Sequence, residues 1–307
     1  MTKVFIDGSA GTTGLRIFDR LKDRADIKLI TLSDDLRKDI NARKDALNNC
    51  DIAFLCLPDK AAIEAVSLIE NENVAVIDTS TAHRVLDGWT YGFPELLESY
   101  DVVRNSKRIA NPGCHASGFN ALVAPLTKAG VLKKDVNLSC FSLTGYSGGG
   151  KQMIADYENA QRDILLDAPR MYGLAQAHKH IPEMVKLCDL KNTPVFCPIV
   201  ADYYAGMQVT VPIFKSDLNG TIKDIKDVYK SVYTGKLVHF DETADESGFM
   251  SANAFNLKDD MQITVCGNDD RILLVSRFDN LGKGASGSAI QNMNILLSVD
   301  ETTGLNI

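Results

Sequence analysis

The stretch VFIDGSAGTTGLRI occupies residues 4–17, near the start of the chain. A short apolar run ends at Asp7, glycines stand at 8, 11 and 14, and apolar residues then recur at Leu15, Phe18 and Leu21. This spacing predicts a strand over 3–7, a tight turn and a helix over 12–24. Glycine permits such a turn and lets backbone N–H groups approach a pyrophosphate at a helix N-terminus. The candidate contacts are Gly8, Ser9, Gly11, Thr12, Thr13 and Gly14. The pattern is GxxGxxG and not the stricter GxGxxG, so alone it also fits a plain strand-to-helix connection. No Gly-Lys-Ser/Thr follows, which excludes a Walker-type phosphate loop.

Outward from this turn, IKLITL (27–32), DIAFLCLP (51–58) and VAVID (74–78) read as strands, with helical segments ending at DALNN (45–49) and covering 59–71. Alternation of helices with nearly continuous apolar strands is the pattern of a parallel sheet covered on both faces. The expected fold is α/β, a Rossmann-type doubly wound sheet, and that context favours the cofactor reading of the glycine turn. Beyond about residue 114 the pattern changes. A helix over 116–130 leads through NLSCFSLTG into a glycine loop, YSGGGK (146–151). Strand candidates follow at 194–201, 206–214, 262–267 and 272–279, the last two flanking NDDR as a hairpin turn. Runs of strands with few helices between them predict a second, α+β domain with a mixed or antiparallel sheet. Residues 282–299 read as a glycine loop and a helix with Ile290, Met293, Leu296 and Leu297 on one side, returning to the first domain. The expected division is therefore 1–113 with 281–307 for the dinucleotide, and 114–280 for catalysis and oligomerisation.

Composition narrows the function classes. The 307 residues are 45% hydrophobic and 24% charged, with a net charge of −7, which suits a globular chain and argues against a nucleic-acid partner. No apolar run approaches the ~18 residues that span a bilayer. No signal-peptide core follows the first strand, so a cytoplasmic location without membrane partners is expected. The seven cysteines (50, 56, 114, 140, 188, 197, 266) form no CxxC pair. Most sit in apolar runs, Cys56 in IAFLCLP and Cys197 in VFCPIV, and read as reduced, buried small hydrophobes; neither a disulfide framework nor a zinc site is expected.

Cys114 is the exception. NPGCHASGF (111–119) places it after Pro-Gly, at the start of a helical run and among small residues. The positive end of the helix dipole stabilises a thiolate there, and first-turn N–H groups can stabilise an oxyanion. A nucleophile of this kind needs an acid or base. AHKHIPE supplies His178 and His180, with Glu183 three residues beyond the latter. At i and i+2 the two histidines do not share a helix face, so they are poor joint metal ligands, and one would face the site while the other packs. His115 beside the thiol points elsewhere on a helix, and His83 and His239 have little supporting context. At the end of the second strand, TLSDDLRKD (31–39) offers Ser33 and Arg37 to a 2′-phosphate, which favours NADP, although Asp34 and Asp35 weaken that reading.

With these residues in view the chain resembles the N-acetyl-gamma-glutamyl-phosphate reductases of arginine biosynthesis, in their shorter form. The likeness runs nearly end to end, through VFIDGSAGTTGLRI, DTSTAHR, GFPEL, NPGCHASGF, GYSGGGK, HKHIPEM and DNLGKGASGSAIQNMNIL. The wider group includes aspartate-semialdehyde dehydrogenase, with the same two-domain plan and cysteine chemistry. The resemblance implies Cys114 as nucleophile, His180 as acid/base with His178 as the alternative, and NADP in the first glycine loop. It places the GASGSAIQN segment, including Gly284 and Asn292, toward the nicotinamide. Arg84 and Lys151 become candidate contacts for an anionic small-molecule substrate, and a homodimer or tetramer is implied. Rival readings are reduction of another acyl phosphate, such as aspartyl phosphate, a non-catalytic NADP-binding module, and a cysteine hydrolase.

Overall fold

The computed structural model describes residues 1–97 and 99–307. The chain divides into two compact units, Met1–Pro112 with Ala285–Leu305, and Gly113–Gly284 with Asn306–Ile307.

The first unit holds a six-stranded sheet of β1 (Thr2–Asp7), β2 (Ile27–Ile30), β3 (Ile52–Leu55), β4 (Ala75–Asp78), β5 (Thr90–Tyr91) and β6 (Arg108–Ala110). The order is β2-β1-β3-β4-β6-β5, and every pairing is parallel. Its helices are α1 (Thr12–Leu21), α2 (Ile40–Asn49), α3 (Asp59–Ser67), α4 (Asp101–Arg104) and, from the far end of the chain, a C-terminal helix over 287–296. Alternate residues of each strand feed two cores, as the two-residue period requires. Val4, Ile6, Phe54 and Ile77 pack with Ile17, Ile290 and Met293 on one face. Phe5, Ala53, Leu55 and Val76 pack with Leu47, Ala62 and Ala65 on the other. Apolar residues on both faces of one strand are what makes these strands read as unbroken hydrophobic runs. The sheet is the doubly wound one that the sequence predicts.

The second unit begins with α5 (Cys114–Lys128), followed by β7 (Ser139–Gly145), α6 (Gly150–Glu158), β8 (Arg170–Met171), α7 (Ile181–Leu187), β9 (Val195–Ala201) and β10 (Met207–Phe214). Then come α8 (Ile222–Val232), β11 (Val238–Phe240), β12 (Met261–Gly267) and β13 (Arg271–Phe278), and the C-terminal helix of the first unit is α9 (Gly287–Leu296). The seven strands run in the order β11-β12-β13-β10-β7-β9-β8, mixing parallel and antiparallel neighbours. β12 and β13 form the hairpin expected around residues 268–271. Helix α5 lies on one face: a Cβ at Gly118 would fall 2.5 Å from Val209 and 2.8 Å from Phe278. On the opposite face, register places Phe141, Val195 and Leu273 together, and these are 40%, 53% and 42% exposed.

Three local expectations need correction. Helix α5 starts at Cys114, two residues earlier than the apolar periodicity indicates, because Gly113 serves as its extended N-cap. The YSGGGK stretch is not all loop: a 3-10 turn over Tyr146–Gly149 passes into α6, so Lys151 is helical. Cys56 and Cys197 are half-buried and not buried, whereas Cys50, Cys140 and Cys188 lie inside. Among the described residues no helix is long and apolar enough to cross a membrane.

Candidate active site

In the first unit β1 delivers the chain into the glycine turn, and Gly11 is the N-cap of α1 with no side-chain cap of its own. Gly8 has φ +89°, and a Cβ there would lie 2.2 Å from the carbonyl oxygen of Cys56 at the end of β3. A Cβ on Gly14 would lie 2.4 Å from the oxygen of Gly8. These two glycines are demanded by backbone contact. At Gly11 the nearest atom would be 3.4 Å away, so that glycine keeps open the space at the helix N-terminus where a phosphate is favoured.

A cavity of about 410 Å³ adjoins the turn, lined by Gly8, Ser9, Ala10, Leu32, Asp34, Arg37, Lys38 and Arg43 among others. Arg37 pairs with Asp34 at 3.2 Å. Ser33 is exposed, and its hydroxyl holds Asp35 below the usual carboxylate range. Arg43 grips the buried Asp7 at 3.0 Å and reaches Glu64 at 2.9 Å. Thr12 and Thr13 are half-buried in the first turn of α1. Further round this unit Asn292 is fully buried on α9 and donates to the oxygen of Gly92 at 2.9 Å. Its own Oδ1 has no hydrogen-bond partner among the described residues. A buried acceptor without a donor costs about 1–3 kcal/mol, and Asn292 does not line the cavity beside the turn, where the open helix N-terminus and the basic side chains stand. The residues present therefore fit a dinucleotide.

In the second unit Cys114 is the first residue of α5, half-buried, and the N–H of Gly113 is held by the carboxylate of Glu183 at 3.2 Å. Glu183 is buried on α7, so α7 braces the N-terminus that carries the thiol. Gly284 stands against the cysteine: a Cβ there would be 3.0 Å from Cys114 Cβ. A cavity of about 220 Å³ opens at the thiol, lined by His115, Thr144, Met153, Tyr172, His178, Lys179 and His180 among others.

His178 and His180 both reach this cavity. Helical spacing would separate them, but they lie in the turn before α7, with His180 its N-cap. The N–H of His180 donates to Nδ1 of His178 at 3.2 Å, and the two rings meet edge-on at 4.7 Å. Glu183, three residues beyond His180, accepts the N–H of Gly113 through Oε2.

His115 also lines the cavity, contrary to its expected direction. Its Nδ1 lies 2.7 Å from Ser142 Oγ and its Nε2 2.6 Å from Tyr172 Oη. Burial pushes its pKa down to about 3, so it stays neutral. Burial and the neighbouring Cys114 raise the Tyr172 phenol above its ordinary value. Tyr172, Thr144, Met153 and Lys179 went unnoticed in the sequence, where only Lys179 has a signal, its place between the two histidines.

Arg84 lies in the first unit, where its Nε donates to the oxygen of Asn111 at 2.9 Å and its Nη2 to that of Thr79 at 3.0 Å. Lys151 is exposed on the first turn of α6 and is not among the residues lining the cysteine cavity.

Two family models match the chain, semialdehyde dehydrogenase, NAD binding domain, over 3–101, and semialdehyde dehydrogenase, dimerisation domain, over 114–280. The chain belongs to the semialdehyde dehydrogenase family. Within the family it is 42% identical to N-acetyl-gamma-glutamyl-phosphate reductase 2 of Nostoc sp., covering 99% of both chains. It is 43% identical to the N-acetyl-gamma-glutamyl-phosphate reductase of Allorhizobium ampelinum, over 96% of this chain and 99% of that one. Solved aspartate semialdehyde dehydrogenases share the semialdehyde dehydrogenase fold at low identity. The Francisella tularensis enzyme matches with a TM-score of 0.71 at 16% identity, over 97% of this chain and 100% of that one. The Vibrio cholerae enzyme II, complexed with ASA, matches at 0.70 and 16%, over 97% and 98%.

Proposed function

We propose that this semialdehyde dehydrogenase reduces N-acetyl-gamma-glutamyl phosphate with NADPH, giving N-acetyl-L-glutamate 5-semialdehyde and phosphate, in arginine biosynthesis. The observation that carries the reading is Cys114 at the first position of α5, opening on one cavity with His178 and His180. Identity of 42–43% to reductases of that name, over nearly the whole chain, supports the substrate.

The Cys114 thiolate, favoured by the helix N-terminus, attacks the acyl carbon; a C–S bond forms, the C–O bond to phosphate breaks, and a thioester remains. First-turn N–H groups of α5 stabilise the oxyanion on the way. NADPH, when bound, supplies the hydride that takes the thioester to the aldehyde level. His180, in our assignment, gives a proton to the oxygen left negative by that addition and takes it back as the thiohemiacetal collapses to aldehyde and thiolate. The dinucleotide belongs to residues 1–113 with 281–307, held by Gly8, Ser9, Gly11, Thr12, Thr13 and Gly14, with Ser33 and Arg37 at the 2′-phosphate and Gly284 and Asn292 toward the nicotinamide. Residues 114–280 carry the chemistry, with Arg84 and Lys151 as candidate anion contacts and Lys179 added because it lines the cavity. Self-association through the sheet face of Phe141, Val195 and Leu273 agrees with the match to a dimerisation domain, and a cytoplasmic location agrees with seven cysteines joined in no disulfide.

The reverse reaction tests the assignment, by the nicotinamide absorbance gained from N-acetylglutamate semialdehyde, phosphate and NADP+. We expect phosphate-dependent activity that Cys114→Ser abolishes. Activity on aspartate semialdehyde alone would keep the chemistry and overturn the substrate.

A further inference from the structure

The Cys114 cavity contains a hydrogen-bonded line of three side chains that the cysteine and the two acid/base candidates leave unused. It runs from Ser142 Oγ to His115 Nδ1 at 2.7 Å, and from His115 Nε2 to Tyr172 Oη at 2.6 Å. Each member has one proton to give while the imidazole is neutral, so the line can point only two ways. Ser142 is fully buried in β7, and its hydroxyl makes no other hydrogen bond among the described residues. If Tyr172 donated to His115 and His115 to Ser142, the serine proton would be left buried without an acceptor. Such a loss costs about 1–3 kcal/mol. In the other direction Ser142 donates to Nδ1, Nε2–H donates to Tyr172 Oη, and every buried proton has an acceptor. The phenolic proton is then turned away from His115, at the end of the line where Tyr172 borders the cavity of the thiol.

We propose that Ser142 and His115 are positioning residues that hold Tyr172 as a hydrogen-bond donor to an acyl oxygen of the substrate bound at Cys114. The inference rests on the proposed acyl-phosphate reduction. The donor is chemically suited to that place: an oxygen that gains negative charge as the thiolate attacks is stabilised by a fixed O–H aimed at it. A neutral imidazole between two hydroxyls sets that aim without adding a charge of its own. Burial keeps His115 neutral and Tyr172 protonated, so the direction of the line does not change around neutral pH.

Two measurements test it. The first is 15N NMR of the histidine side chains, with His115 assigned by its loss in His115→Gln. We expect a bare Nδ1 and a protonated Nε2, and a proton on Nδ1 would overturn the proposal whatever the enzyme reduces. The second is kinetic, on the substrate for which the wild-type protein shows phosphate-dependent activity. Tyr172→Phe and His115→Leu should each lower kcat/KM by roughly 10- to 100-fold, the weight of one donor to a charged oxygen. The double variant should fall no further than the worse single one, and His115→Gln, whose amide can still donate to Tyr172, should recover a large part of the His115→Leu loss. Multiplicative losses, or a Tyr172→Phe enzyme within about twofold of wild type, would sink the proposal. A wild type without activity on any semialdehyde overturns the reductase reading, and the NMR tautomer still decides the direction of the line.

Discussion

The N–H of His180 donates to Nδ1 of His178 at 3.2 Å, tying two histidines of one cavity together through the backbone. Nδ1 of His178 is thereby an acceptor, and its proton sits on Nε2. With Nδ1 of His178 engaged in this bond, we assign the proton shuttle to His180. We expect His180→Asn to lower kcat by about 100-fold or more, the usual weight of a general acid–base. His178→Asn, whose amide oxygen can take over from Nδ1, should cost under about tenfold. Steady-state kinetics with the two variants side by side would reverse the assignment if the losses came out in the opposite order.

The glycine turn separates stability from cofactor binding. Gly8→Ala forces a Cβ to 2.2 Å from the Cys56 oxygen at a φ of +89°. It should lose at least about 2 kcal/mol of stability. Gly11→Ala meets nothing closer than 3.4 Å and should unfold near the wild-type urea midpoint, yet bind NADPH more weakly. Urea melts and a fluorescence titration of the dinucleotide check both, and a Gly11→Ala protein with unchanged affinity would remove that glycine from the binding site.

His115 makes stability pH-dependent in a defined direction. Its pKa is pushed down to about 3 in the folded chain by burial. The unfolded chain, with an ordinary histidine pKa of about 6.5, binds the extra proton first, so stability falls as pH drops through that window. The stability difference between wild type and His115→Gln should therefore tilt toward the variant as the buffer is taken from about pH 7 to pH 4, by up to about 1.4 kcal/mol per unit crossed. Urea midpoints in that range that fall in parallel would show that His115 titrates normally.

Among the seven cysteines, Cys114 should react first with iodoacetamide at neutral pH. Burial pushes Cys50 and Cys56 up to about 12 and also raises Cys266, whereas Cys114 sits at a helix N-terminus beside a cavity. Peptide mapping after brief labelling reads the order directly. Earlier labelling of Cys56 or Cys266 would count against the nucleophile assignment.

Placing a charge on the open face of the second sheet should weaken self-association. Phe141→Asp puts a carboxylate among Val195 and Leu273, where register gathers exposed apolar side chains on one face. Sedimentation should show a shift toward smaller species relative to wild type, and an unchanged distribution would place the contact elsewhere.

Whatever depends on near neighbours along the chain is legible in the sequence. The strand–turn–helix of residues 2–21, the doubly wound sheet and the β12–β13 hairpin follow from local period and glycine placement. Cys114 was legible for the same reason, since Pro112-Gly113 before a helical run is a local signal. A capping box at Thr221 and Asp224 marks the start of α8 just as locally. Tertiary structure decided what spacing misrepresents. His178 and His180 share a cavity because their segment is a turn and not a helix. His115 and Tyr172, 57 residues apart, meet because Tyr172 extends β8 along β9, where its N–H bonds the oxygen of Pro198, while β7 on the other side of β9 brings Ser142. Strand order is set by which apolar faces can be buried together, a property of the whole sheet, and no stretch of sequence carries it alone.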